Sequence, residues 1–313
     1  MLKNKHVLLL GGNGFIGKWL SKELAEKDIK TTVIDRDIKK RLGSACLTYI
    51  QTNSLKTDEV ESSLESADVV VDLIYTTTPG TSFDHPITDI RENLPRAIEL
   101  FKVLSENKNI KKLIIISSGG TVYGNQEDQP IGENIATNPI SPYGITKLTM
   151  EKYAQMFRET IDLPVIIVRP SNAYGPGQIP FKSQGFIAMA MGKIFRFEPI
   201  PIFGGGNTVR DYIYVQDLAR GVLSIMESGK TGEVYNLGTG KGTSNLEVLD
   251  MINQIVAKKY NLNIEHFPER RFDVKTNILD SNKLVNHTGW LPQTSLKNGL
   301  SFTWDWIKDF LSG

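Results

Sequence analysis

Unbroken apolar runs of strand length recur through the first half of the chain, at residues 7–10, 32–34, 69–73, 113–117 and 165–168. Stretches of helical character at 15–27, 87–107 and 143–160 separate them. A strand with one wet face alternates apolar and polar residues. These runs do not alternate, so the pattern predicts strands covered on both faces, as in a parallel sheet. Strand–helix–strand alternation with right-handed crossovers then gives an α/β, doubly wound architecture. After Arg169-Pro170 the texture changes. Glycine and proline become frequent, and shorter elements follow at 212–215, 234–237, 246–260 and 300–311. The expected organisation is a first unit over 1–170 and a smaller, interleaved C-terminal α/β unit over 171–313, with parts of 212–238 returning to the first. Trp290, Trp304 and Trp306 read as core or interface aromatics.

The first apolar run ends in Gly11-Gly12-Asn13-Gly14-Phe15-Ile16-Gly17, a G-x-x-G-x-x-G spacing that opens a helical stretch. Gly11 suits a tight turn out of the strand, Gly14 a close approach of backbone to a pyrophosphate, and Gly17 close packing of helix on strand. The helix start, with Phe15 and Ile16, offers unpaired N–H groups to an anion. The second run ends in Asp35, about the separation expected for an acid on the adenosine ribose. This predicts a Rossmann-type dinucleotide site. Arg36 hints at a 2′-phosphate, but Asp35 would repel one, so NAD is favoured. The alternative is a strand–turn–helix with incidental glycines.

Composition narrows the class. The chain has 313 residues, 40% hydrophobic and 23% charged, in the range of an ordinary water-soluble enzyme. A formal net charge of +1 gives no global field for nucleic acid or an anionic membrane. One cysteine, Cys46, excludes an internal disulfide and a cysteine-rich metal site. No apolar run approaches the roughly 20 residues that span a bilayer. The expectation is a cytoplasmic protein without a leader peptide.

Tyr143 and Lys147 stand four apart at the start of a predicted helix and share one face. A nearby ammonium and a cationic nicotinamide would both favour a phenolate, making a base of a tyrosine at neutral pH. Upstream, the fourth long run ends in Ser117-Ser118-Gly119-Gly120-Thr121-Val122-Tyr123-Gly124, where ligands bind in open parallel sheets. Ser118 and Thr121 are candidate partners for a substrate oxygen. A turn whose hydroxyls bond only backbone is equally open.

Together Gly11 to Gly17, Asp35, 117–124, Tyr143 to Lys147, 169–176 and 210–217 resemble, in order and spacing, the extended short-chain dehydrogenase/reductase family, with UDP-hexose 4-epimerases as the branch most similar. The resemblance spans essentially the whole chain. It implies that Tyr143 is the catalytic base and Lys147 its pKa-lowering partner, which also bonds the nicotinamide ribose. Ser117 and Asn93 would stand at the cofactor, Asn93 behind its nicotinamide half. Asn172 would contact the substrate diphosphate, and Arg210 and Arg270 would clamp it. Tyr143 would take the proton of the sugar 4-hydroxyl while hydride passes from C4 to NAD. The keto sugar would turn, and both would return to the opposite face. A homodimer through 87–107 and 143–160 is also implied.

The chain departs from that family's pattern at several positions. Gly119 stands where the family places a catalytic serine or threonine, leaving the relay to Ser118, Thr121 or water. Gly120 stands where 4,6-dehydratases carry an acid, which favours epimerisation. Asn53 replaces an aspartate near the adenine, and Ile74 an alanine after the third parallel strand run. Asn277 falls where strict hexose enzymes have tyrosine, which implies room for an N-acetyl group. The four histidines fall in no motif and are expected to be structural. Competing readings are a 4-reductase, a 4,6-dehydratase, and a catalytically impaired dinucleotide-binding protein.

Overall fold

The structure, a computed structural model, describes residues 2–38, 41–181, 185–256, 260–270 and 273–312. In chain order the first part is β1 (Val7–Leu10), α1 (Phe15–Glu26), β2 (Thr31–Asp35), β3 (Leu47–Gln51), α2 (Asp58–Ser66), β4 (Val69–Asp72), α3 (Pro79–Asp84), α4 (Pro86–Glu106), β5 (Lys112–Ile116), α5 (Gly119–Val122), α6 (Pro142–Ile161) and β6 (Val165–Pro170). The second part is β7 (Asn172–Tyr174), α7 (Phe186–Phe195), β8 (Ile200–Phe203), β9 (Val209–Tyr214), α8 (Val215–Ser228), β10 (Val234–Leu237), β11 (Gly242–Ser244), α9 (Asn245–Ile255), β12 (Ile264–Phe267), β13 (Thr276–Asn277), α10 (Asn282–Thr288) and α11 (Leu296–Ser312).

Seven strands form one sheet in the order β10-β6-β5-β4-β1-β2-β3, every pair parallel. Strand β1 shows why its sequence reads as an unbroken apolar run. Leu8 and Leu10 enter a core with Val70, Ile115, Phe101 and Met150 on one face. Val7 and Leu9 enter another with Leu20, Val33, Val71 and Val222 on the opposite face. Each of the four is fully buried, and each such burial is worth about 1.5–3 kcal/mol. A third core, around Ile187, Met191, Tyr212, Val248 and Trp304, joins α7, α9 and α11 to the second sheet. That sheet runs β11-β9-β13, with β7 also paired to β9.

The chain crosses between these layers. Strand β9, expected from residues 212–215, belongs to the second sheet. Helix α8 packs beside α1, and β10 completes the edge of the first sheet against β6. Strand β3 and helices α2, α3 and α5 lie outside the predicted elements. The helix expected over 246–260 is observed as α9 to Ile255, and residues 257–259 lie outside the described set. Trp290 and Trp304 are buried, and Trp306 packs on the third core. No helix among the described residues is long and apolar enough to cross a membrane.

Candidate active site

The C-terminal ends of β1, β4, β5 and β6 open into one cavity of about 500 Å³, and β9 and the segment around Arg270 close its far side. At one end stands the glycine turn. Gly11 has φ +75°, a conformation glycine adopts without strain. A Cβ at Gly17 would come within 2.5 Å of Gly12 Cα, so only glycine lets α1 sit this close to the turn. The N-cap of α1 is Gly14, which supplies no side-chain cap. The first-turn N–H groups at Phe15, Ile16 and Gly17 are therefore left for a ligand, and all three residues line the cavity. Asp35, ending β2, accepts the N–H of Asn13 at 3.0 Å and of Asp37 at 3.2 Å. Exposed Arg36 follows it. A bare helix N-terminus, a glycine cradle and a carboxylate beside the turn fit NAD.

At the opposite end of the same wall stand Tyr143 and Lys147, one turn apart on α6. Ser141 caps this helix by accepting the Gly144 N–H at 3.2 Å, and Pro142 opens its first turn. The Tyr143 N–H donates to Ser82 Oγ at 3.1 Å. Lys147 Nζ donates to the Ile116 carbonyl at 2.7 Å and lies 5.8 Å from the Tyr143 ring centroid.

The electrostatics differ from the sequence expectation. Burial pushes the Tyr143 phenol up. Hydrogen bonding from the Ser118 side chain opposes the rise, and the Asp89 carboxylate adds to it. Burial also lowers Lys147 to about 7, with Asp72, Glu151 and Asp89 opposing and Arg96 assisting. Burial is thus the largest influence on both members of the pair.

Among the expected hydroxyls, Ser118 is the one coupled to Tyr143. Thr121 Oγ1 is buried at the cavity wall with no partner among the described residues. Ser117 also lines the cavity, but its hydroxyl donates to Glu151 in a short bond. Glu151 is itself paired with Arg169 at 2.6 Å, and Arg169 donates to Tyr123 Oη at 2.8 Å. This buried network fixes the start of the turn from below.

Four expected site residues, Asp35, Arg36, Asn93 and Asn277, stand outside the lining. Asn277 is fully buried and its Nδ2 donates to the Gly119 carbonyl at 3.0 Å. It braces the turn from behind, and it is not among the residues that line the cavity. Asn93 is also fully buried, accepting the Thr76 N–H at 2.9 Å and donating to the Asp89 carbonyl at 2.8 Å. It holds the loop after β4 from behind. Gly119 itself is explained by packing. A Cβ there would overlap Leu279 Cδ1 and come within 2.9 Å of the Arg169 carbonyl.

The far side carries the cations. Asn172 on β7, Arg210 on β9 and Arg270 all line the cavity. Arg210 donates to the Val209 carbonyl at 2.9 Å, and burial lowers its pKa. The Arg270 guanidinium lies 3.6 Å from the Phe203 ring centroid. Asp273 is raised by burial and held down by both arginines. Arg271 and Phe272 lie outside the described residues. None of the four histidines lines the cavity. Tyr75, Thr77 and Ser171 do, and sequence reasoning missed them. Their position just after the ends of β4 and β6 was the available signal.

The model of the NAD dependent epimerase/dehydratase family matches residues 7–238. A dTDP-4-dehydro-6-deoxyglucose reductase of Escherichia coli is 31% identical over 309 residues, 94% of this chain and 95% of that protein. The UDP-glucose 4-epimerase of Thermotoga maritima, solved with UDP-glucose, superposes with a TM-score of 0.87 at 31% identity, covering 98% of this chain and 99% of the other. The UDP-glucuronic acid 4-epimerase of Bacillus cereus, solved with UDP-glucuronic acid and NAD, gives a TM-score of 0.89 at 26% identity, covering 97% and 99%. The glycine turn, the tyrosine–lysine pair and the match over most of the chain agree, and the protein belongs to the NAD dependent epimerase/dehydratase family.

Proposed function

We propose that the protein inverts C4 of a UDP-hexose or UDP-N-acetylhexosamine through a transient 4-keto sugar. One observation carries the reading. A single cavity holds a bare helix N-terminus at one end, Tyr143 with Lys147 and Ser118 in its wall, and Arg210 and Arg270 across from them.

Residues 1–170, with parts of 212–238, would hold the cofactor, and the remainder the nucleotide sugar. The turn from Gly11 to Gly17 would receive the pyrophosphate of NAD, Asp35 the adenosine ribose, and Lys147 the nicotinamide ribose. NAD supplies the hydride acceptor and donor, and a positive charge near Tyr143. As the phenolate, Tyr143 would take the proton of the sugar hydroxyl at C4, and as the resulting phenol it would return it, with Ser118 as the relay that Gly119 does not offer. Arg210 and Arg270 pair with the diphosphate oxygens, a task suited to a planar, permanently charged fork. Asn172 lies on the same side. That remote grip holds the keto sugar while it turns.

A 4,6-dehydratase needs an additional acid near the sugar. Gly120 provides none, and a Cβ there would already lie 3.1 Å from Asn172 Oδ1. A homodimer fits the exposed apolar side chains on the paired helices α4 and α6, Ile87, Ile90, Ile145 and Met156 among them. The free, half-buried Cys46 suits a reducing cytoplasm.

The test is incubation of purified protein, without added cofactor, with UDP-glucose and UDP-N-acetylglucosamine. The expected product has the substrate's mass and an inverted C4 by NMR. A product lighter by water overturns the epimerase reading, as does an inert pair of UDP-sugars beside a 4-keto sugar nucleotide that gains two hydrogens only when NADPH is added.

A further inference from the structure

The loop after β4 places an aromatic ring against the catalytic lysine, and nothing above assigns that ring a task. The Lys147 ammonium lies 3.9 Å from the centroid of the Tyr75 ring. The same ring meets Tyr143 edge-on, with centroids 4.8 Å apart and planes at 70°. The Tyr75 hydroxyl donates to Asp89 Oδ1 at 3.1 Å. Asp89 is fully buried, also accepts the Thr77 hydroxyl, and sits on α4 one turn before Asn93. The ring is thus anchored at its far end and presents its electron-rich face to the ammonium.

We propose that Tyr75 is a positioning residue, whose ring face keeps Lys147 protonated and fixed beside Tyr143 through a cation–π contact. This deepens the epimerase reading, since it concerns the same tyrosine–lysine pair.

The contact matters because Lys147 is otherwise poorly supported. It is buried, and among the described residues its Nζ has one hydrogen bond, to the Ile116 carbonyl. The charged groups around it come from several elements. Asp72 at the end of β4, Asp89 on α4 and Glu151 on α6 favour the ammonium, and Arg96 on α4 opposes it. Asp72 is engaged by Arg96 at 2.7 Å, and Glu151 by Arg169. Those two carboxylates are shared with arginines, and burial remains the largest influence on the lysine. Burial and Asp89 keep the Tyr75 phenol itself protonated, so it is a neutral π surface over the working pH range. A desolvated ammonium on such a face gains enough to move its titration by about one pH unit.

The experiment follows the Lys147 titration directly, by carbon-13 NMR of the lysine ε-methylene, assigned with K147R. Y75F keeps the ring and loses the Asp89 bond, and its Lys147 midpoint is expected within about 0.3 unit of wild type. Y75L loses the ring, and its midpoint is expected about one unit lower. A series of increasingly fluorinated phenylalanines at position 75 weakens the ring face without changing its shape. The midpoint is expected to fall stepwise along it, and the alkaline limb of the kcat profile to fall in parallel. An unchanged midpoint in Y75L together with a flat fluorination series overturns the proposal, as does a fall in Y75F equal to that in Y75L. If Y75L does not fold, the fluorinated series alone decides. A wild-type protein that turns over no UDP-sugar defeats the epimerase reading, while the NMR titration still decides the role of Tyr75.

Discussion

Two glycine-rich turns leave the same sheet and face the same cavity, and they are glycine-rich for opposite reasons. The turn from Gly11 to Gly17 needs glycine to bring its own helix close, and its polar edge is left bare. The turn from Ser117 to Val122 needs glycine because other parts of the chain press on it. Leu279 and the Arg169 carbonyl fill the space beside Gly119, Asn277 takes its carbonyl, and Glu151 takes the Ser117 hydroxyl. The first turn is a ligand cradle whose helix packs on its own glycine, with Val33 and Ile74 beside it. The second is a catalytic wall assembled from three later segments. Glycine in a ligand-facing turn therefore does not by itself mean room for a ligand.

If that division is right, substitutions on the second turn's side change chemistry and leave cofactor retention alone. The largest effect is expected for Y143F, a fall in kcat of about 10²–10⁴, with bound NAD and melting temperature unchanged. S118A follows, with a loss of roughly tenfold to a hundredfold. T121V serves as its control. An inactive T121V beside a fully active S118A would move the relay to Thr121. Next in size is G119S, which puts back the family's usual serine. By the packing around it, G119S costs about 1–3 kcal/mol by overpacking and gains no activity. L279A in the same chain relieves the overlap. Denaturant unfolding and kcat of the single and double variants decide this. A G119S protein that is stable and faster than wild type would show that the turn has room after all.

The difference between the turns also explains what the sequence could and could not reveal. The unbroken apolar runs announced the parallel sheet, since both faces of β1 are buried. The glycine spacing announced α1, because the close approach that demands glycine at 17 is to Gly12, within the same turn. Tyr143 and Lys147 were legible for the same reason, as one helix turn after a proline and a serine cap. The brace from Asn277 could not be read, because it depends on β13 lying beside β9 and under Gly119, a contact 158 residues apart in sequence. Asn93 was placed behind the nicotinamide half, but its bonds to Thr76 and Asp89, which hold the loop after β4, could not be inferred. Tyr75 was missed outright. Its meaning lies in a ring geometry with Lys147, and no local spacing encodes it. Strand β3, with only Leu47 fully turned into the core, lacked the apolar run that revealed its neighbours.

The smallest expected effect asks whether the second turn's wall carries an electrostatic cost that the first does not. Lys147 is buried and titrates near 7, while in the unfolded chain it titrates in the ordinary lysine range. Between these two values the unfolded chain binds the extra proton, so the lysine's contribution to stability rises with pH. Below about 7 both states are protonated and the whole cost of burying the charge is felt. Above the ordinary lysine range both are neutral and the cost is gone. K147M removes it at every pH. The variant is therefore expected to be more stable than wild type at pH 7, by about 2–4 kcal/mol, with the gap closing as pH rises past about 10. Turnover is expected to be lost, the usual exchange of stability for a working site. Urea unfolding at pH 7 and pH 10 measures the gap. A K147M protein less stable than wild type at both, by the same amount, would mean that the bond to Ile116 outweighs the buried charge. The second turn would then be held as cheaply as the first.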